Sequence, residues 1–155
     1  MRPAIEQMVR QFFRAIENDE RDSDIIMDFF SDRPTMIISL KGPGWIWTGQ
    51  KEVKQQFEIA IEAHSGFRVL PKMIVVDRGH VTCHVVIFLF GTGDFDSFTE
   101  LQRISIFDLD KNNRIQRLEY RDVAGTEKQR KGGRQVLDAL ITEIEEGALA
   151  VDYLS

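Results

Sequence analysis

Six apolar residues near the N-terminus, Ile5, Met8, Val9, Phe12, Phe13 and Ile16, recur at i, i+3, i+4, i+7, i+8 and i+11. That spacing predicts an amphipathic helix with one buried face. "NDERDS" breaks the pattern, and Ser23 fits the N-cap of a short helix carrying Ile25, Ile26, Phe29 and Phe30. "SDRP" closes it, because the residue before Pro34 avoids helical geometry. "TMIISL" reads as a β-branched strand, "KGPG" as a turn and "WIWTG" as a short strand. A third helix is predicted from about Gln50 to His64, with Val53, Phe57, Ala60, Ile61 and His64 on one stripe, ended by "SG". Then come two strands, "FRVLPKMIVVD" and "VTCHVVIFLF", around an "RGH" turn. "GTGDFDS" is a loop, and "FTELQRISIF" and "RIQRLEYRDV" are two further strands. After "AGTEKQRKGG" a last helix places Val136, Leu137, Leu140, Ile141 and Ile144 on one face.

The segment between the last two strands admits two readings. Asp108, Asp110, Asn112 and Glu119 stand where a calcium-binding helix-loop-helix hand places oxygen ligands. Against that, Asn113 occupies the position where glycine makes the sharp turn, no second hand is present, and the flanks have strand composition. The hairpin, with Asp and Asn making local turn bonds, is the favoured reading and calcium binding the weaker alternative.

The length of 155 residues fits one domain, and 43% hydrophobic with 29% charged residues is a globular composition. A net charge of −5 weighs against nucleic acid as a partner. "KQRKGGR" is basic but short, and reads as a solvated linker. No apolar run approaches the roughly 18 residues of a membrane span, and "MRPAIEQMVRQFF" lacks a signal-peptide pattern. A cytoplasmic protein without a membrane partner is expected. Cys83 is the single cysteine, which excludes an internal disulfide, and the three histidines have no metal-site spacing. No metal or cofactor is expected.

The order helix, helix, strand, short strand, helix and four long strands now becomes informative. With "VRQFFRAIENDERD", "MDFFSDRPTMII", "WTGQKEVKQQF" and "DKNNRIQRLEYRDV" at their spacing, it resembles an α+β fold over about residues 5–124. That is the cone-shaped fold of nuclear transport factor 2, ketosteroid isomerase, scytalone dehydratase and the SnoaL-like polyketide cyclases. The resemblance implies a curved, mainly antiparallel sheet wrapped around three N-terminal helices, leaving a deep apolar pocket. It assigns residues 1–125 to the cone domain. Residues 126–155 become a C-terminal helical extension, packed on the same domain or on a dimer partner.

Alternation along the last strand groups Gln116, Leu118, Tyr120 and Asp122 on a face expected to meet the pocket, with Arg117, Glu119 and Arg121 opposite. The resemblance places the cyclases' catalytic aspartate on Tyr120. A buried phenol there suits proton donation, and a core tyrosine is the plain alternative. Asp122, on the same face, either takes over the carboxylate role or caps the strand. Gln102 lines up with a cavity glutamine of the cyclases, either orienting a carbonyl or serving as a polar core residue, and Ile104 with their neighbouring histidine. The isomerase's aspartate base falls on Ile38 and its tyrosine on Phe12, so that chemistry is not expected.

The dehydratases imply a His–Asp pair, with His64 near the histidine position and Asp19 or Glu20 near the carboxylate. A carboxylate-oriented histidine suits proton abstraction, while a surface histidine at a helix end is the plain alternative. Trp45 and Trp47 pack at the mouth of the cone or form an aromatic wall for a flat ligand. Ile38, Phe12, Ile104, Leu118, Phe57 and Trp47 are the candidate substrate contacts. His84 is expected to point away from the pocket. Apolar Val86 and Phe88 beside it suggest that the outer sheet face packs on a homodimer partner.

The resemblance therefore implies a cofactor-independent cyclase, isomerase or dehydratase acting on a small hydrophobic, carbonyl-bearing ligand such as a polyketide or terpenoid. A non-catalytic ligand-binding or assembly module of the same fold is the alternative.

Overall fold

A computed structural model describes residues 2–17, 21–39, 44–91 and 96–154. The first periodic segment forms α1 (Arg2–Glu17), whose Val9 and Phe12 are fully buried. A short α2 (Ser23–Met27) follows, then strands β1 (Phe30–Ser39) and β2 (Trp45–Thr48), and helix α3 (Gln50–Ala63). Strands β3 (His64–Asp77), β4 (His80–Gly91), β5 (Ser97–Leu109), β6 (Ile115–Asp122) and β7 (Lys128–Lys131) come next, and α4 (Arg134–Leu154) closes the chain. The fold class is α+β, with four helices and one seven-stranded mixed sheet among the described residues.

The strand order is β2-β1-β6-β5-β4-β3. Among the described residues, β1–β6 is the one parallel pair. β7 pairs with β5 along Ser97–Glu100, and β6 pairs with the same strand from Arg103 onward. The sheet is not closed, so β3 ends it with a free edge. There the Glu17 carboxylate accepts the Val69 N–H at 2.9 Å and satisfies one edge donor.

Four expectations change at the level of elements. Asp22, not Ser23, is the N-cap of α2, its carboxylate accepting the Asp24 N–H at 2.8 Å. The "SDRP" segment is strand rather than helix end: β1 begins at Phe30, and a register shift before Thr35 accommodates Pro34, which lacks an N–H. Helix α3 stops at Ala63, and His64 adopts extended geometry as the first residue of β3, without the "SG" stop. "KQRK" forms β7 instead of a linker, and Arg130 holds the Glu100 carboxylate at 3.1 Å. "KGPG" largely lies outside the described residues, as does most of "GTGDFDS".

The calcium hand is overturned. Its flanks are β5 and β6, not helices, and the connection is a turn. Asp110 spends its carboxylate inside that turn, accepting the N–H groups of Asn112 at 2.8 Å and Arg114 at 3.0 Å. Asn113 takes the left-handed conformation, φ 59°, where glycine is usual.

Two apolar layers flank the sheet. The inner layer packs α1, α2 and α3 into its concavity, with Phe12 at the hub: its ring lies 5.7–6.2 Å from those of Phe13, Phe29, Phe30, Phe57 and Phe107. The outer layer joins Val86, Phe88 and Phe98 to Leu137 and Ile141. The apolar outer side of β4 at this end is therefore covered by α4 of the same chain. Glu119, expected on a solvated face, is buried between Arg117 and Arg121, with Arg121 Nη2 at 2.9 Å.

Candidate functional site

Strand alternation sends Leu101, Arg103, Ser105 and Phe107 of β5 inward, opposite Tyr120 and Leu118 of β6. A one-residue register shift between Asp108 and Leu109 follows the Asp110 turn, and it brings Ser105 opposite Tyr120, and Arg103 opposite Asp122. The helices do not fill the whole concavity. A cavity of about 180 Å³ remains, walled by Phe13, Ile16, Met36, Ile38, Phe57, Ile61 and the inward residues of β4. Among the described residues, six polar side chains reach it: Arg21, Gln56, His64, Arg103, Ser105 and Tyr120.

Each of these is set by its surroundings. Burial pushes the Tyr120 hydroxyl up to about 12, outweighing the opposing pull of Arg103, whose guanidinium stands 4.8 Å over the ring. The phenol is therefore a proton-bearing donor throughout the physiological range. Burial lowers the proton affinity of His64, Arg21 and Arg103 lower it further, and a hydrogen bond to the Phe90 backbone only partly offsets them. The imidazole is thus neutral near pH 7, the form that accepts a proton. Arg21 Nη2 donates to the His64 carbonyl oxygen at 2.7 Å, tying the start of β3 to the segment before α2. Arg103 Nε donates to Asp122 Oδ1 at 2.6 Å, with both side chains largely buried. The Ser105 hydroxyl is buried without a hydrogen-bond partner.

The expected site residues separate into groups. Tyr120, His64, Ile38 and Phe57 line the cavity together. Asp122 stands behind it, engaged by Arg103, and does not line it. Phe12 and Leu118 are fully buried in the solid core. Trp47 is half-buried against that core and away from the cavity, while Trp45 is 66% exposed. Gln102 and Ile104 occupy the other face of β5. Gln102 Oε1 lies 2.9 Å from His84 Nε2 in a shallow groove beside α4. The placement of Gln102 and Ile104 in one pocket with Tyr120 is therefore corrected. The strand was read in the wrong phase, and a period of two exchanges the whole face for a shift of one residue. Asp19 lies outside the described residues, and so does Glu20.

Arg103, Ser105, Arg21 and Gln56 were missed. For the two on β5 the nearest signal misleads: counting back from the Asp110 turn pairs position 105 with 119, and only the register shift between Asp108 and Leu109 brings 105 opposite 120. Arg21 and Gln56 carry no comparable signal, since a lone polar residue after one helix or on another is ordinarily solvated. Cys83, fully buried with its thiol pushed up to about 12 by burial, is unreactive packing.

No protein-family model matches the chain, and no curated protein matches it. Solved structures do. One is the epoxide hydrolase/cyclase-like enzyme SalBIII, described for pyran ring formation in the polyether salinomycin. It is 15% identical with a TM-score of 0.68, over 85% of this chain and 97% of that one. Another is a de novo designed protein with a curved β-sheet, 14% identical with a TM-score of 0.57, over 94% of this chain and 98% of that one. The likeness shows a shared fold and nothing finer. That a designed protein shares the architecture makes plain that the fold alone carries no activity.

Proposed function

We propose that the chain is a SnoaL-like small-molecule enzyme. It would cyclise, isomerise or dehydrate a hydrophobic, carbonyl-bearing substrate inside the cone-shaped domain, without a cofactor. The observation that carries this reading is the pairing, in one apolar cavity, of a neutral imidazole with a group of hydrogen-bond donors. His64 is the base that removes a proton next to the substrate carbonyl. Tyr120 and Arg103 stabilise the oxyanion that forms, in surroundings where water screens little. Ser105 offers a further donor. Asp122 acts as a positioning residue through Arg103. The polyether cyclase-like neighbour supports the cyclisation branch of this reading at the level of fold.

The second reading, a ligand-binding module without turnover, is favoured by one observation: among the described residues, no Asp or Glu side chain lines the cavity. Exchange of α-protons separates the two. Wild-type protein in D₂O is incubated with a panel of cyclic ketones and β-diketones, and deuterium incorporation is followed by NMR beside His64→Gln. Exchange that the wild type accelerates and the variant does not supports the enzyme. Binding of the same ketones without exchange supports the module.

A homodimer through the outer sheet face belongs to the same proposal. α4 covers one end of that face, and exposed Ile46, Met73 and Val75 support an interface on the remainder. Sedimentation of the wild type beside Met73→Lys tests it, a monomeric wild type being the adverse result.

A further inference from the structure

The polar groups of the cavity are unbalanced. Asp122 engages Nε of Arg103, and the terminal nitrogens of that side chain hydrogen-bond to no described residue, although it is only 14% exposed. A guanidinium carries five N–H donors, so most of the capacity of this cavity-lining side chain is left without a protein acceptor among the described residues. Ser105 stands two residues along the same face of β5, its hydroxyl buried and unpaired. Tyr120, paired with Ser105 across the ladder, adds a third donor. Among the described residues, the lining contains no Asp or Glu side chain to accept from these donors. Of these three, the Ser105 hydroxyl is the one fully buried and unpaired, and a buried donor without an acceptor costs free energy unless a ligand or solvent completes it.

Two cationic side chains, Arg21 and Arg103, line the cavity beside His64, and both lower its proton affinity. Asp122 engages Arg103 at Nε, and the terminal nitrogens of Arg103 make no hydrogen bond to a described residue. Two parallel N–H groups of a guanidinium match the two oxygens of a carboxylate. The volume limits the rest. About 180 Å³ is close to the roughly 150 Å³ of an apolar cavity that holds benzene, so one ring with a short arm fits and a polycycle does not.

We propose that the ligand of this cavity is a small hydrophobic carboxylate, its oxygens held by Arg103 and Ser105 and its apolar body against Phe57, Ile61 and Val85. The assignment rests on the small-molecule reading above and narrows its substrate class: the substrate carries an acid group in addition to the reacting carbonyl. Tyr120 and His64 remain for the reacting end.

The test uses two near-isosteric probes, benzoate and benzamide, titrated into ¹⁵N-labelled protein and followed by amide shifts. Benzoate is expected to bind about tenfold more tightly, the difference between charge-assisted and neutral hydrogen bonds, with shifts centred on residues 103–105 and 120. Arg103→Met combined with Asp122→Asn leaves no unpaired carboxylate, and this double variant should bind both probes equally. Asp122→Asn alone keeps an amide oxygen that can accept from Arg103 Nε, so Arg103 stays positioned, while the loss of the neighbouring negative charge should tighten benzoate a few fold. If the double variant does not fold by circular dichroism, the sign of the single-variant change decides. Weaker benzoate binding by Asp122→Asn overturns the assignment. Equal binding of the two probes to the wild type overturns the acid group and leaves the small-carbonyl pocket standing. Absence of binding by both probes at their solubility limit overturns both readings.

Discussion

Phe12→Ala tests the division of the concave side of the sheet into solid core and cavity. Phe12 is fully buried, and its ring meets five other phenylalanine rings at centroid distances of 5.7–6.2 Å. Those neighbours belong to α1, to the α2–β1 junction, to β1, to α3 and to β5, so they cannot converge on the vacated space without moving several elements at once. Buried Phe→Ala changes cost about 3–5 kcal/mol, more where the surroundings relax least. This site belongs at the upper end, at about 4–5 kcal/mol, with the aromatic pair terms already inside that range. Against the roughly 5–15 kcal/mol stability of an ordinary domain, that is a large fraction, and it lowers the thermal midpoint by roughly 10 to 20 °C.

The assay is urea denaturation followed by far-ultraviolet circular dichroism, comparing midpoints at constant slope. Phe57→Ala is the control: one side of that ring already faces the cavity, so it gives up fewer contacts and costs less, about 2–3 kcal/mol. The two should also differ in function, since only Phe57 lines the site; Phe12→Ala that still folds should bind benzoate as the wild type does. A loss below about 2 kcal/mol for Phe12→Ala at unchanged slope, or a larger loss for Phe57→Ala, refutes the reasoning.

Tyr120→Phe removes only the hydroxyl. It should change stability by less than about 1 kcal/mol while reducing turnover by about 100-fold or more; unaltered turnover makes Tyr120 a core residue. The lowered proton affinity of His64 fixes a pH window. Between the ordinary value of 6.5 and the lower folded value the unfolded chain binds the extra proton, so stability declines as pH falls through that window and levels off below it. Thermal midpoints of the wild type against pH should show this decline and His64→Gln should lose part of it, with turnover falling over the folded-state titration; parallel profiles for the two proteins contradict it. Millimolar calcium should leave the thermal midpoint unchanged, because Asp110 is committed to its own turn; a midpoint rising with calcium would restore the ion-binding loop.

The sequence by itself determined the elements that local physics controls. The helical period of Ile5 to Ile16 formed α1, the stripe through Val53 and Phe57 formed α3, and β-branched runs between turn residues formed β3, β4, β5 and β6. The Asp110 turn was legible because a short side chain bonding its own backbone needs no distant partner. Tertiary structure decided what depends on contacts far along the chain. Whether Arg103 or Gln102 faces the cavity turns on a phase of one residue, fixed by pairing with β6 and by helices packed beneath. Whether Phe12 is core or contact depends on five rings, three of them on elements well separated from α1. The cover of Phe88 is a helix some fifty residues further along. A strand's alternation says that two faces exist; only the layers packed on each face say which one is the site.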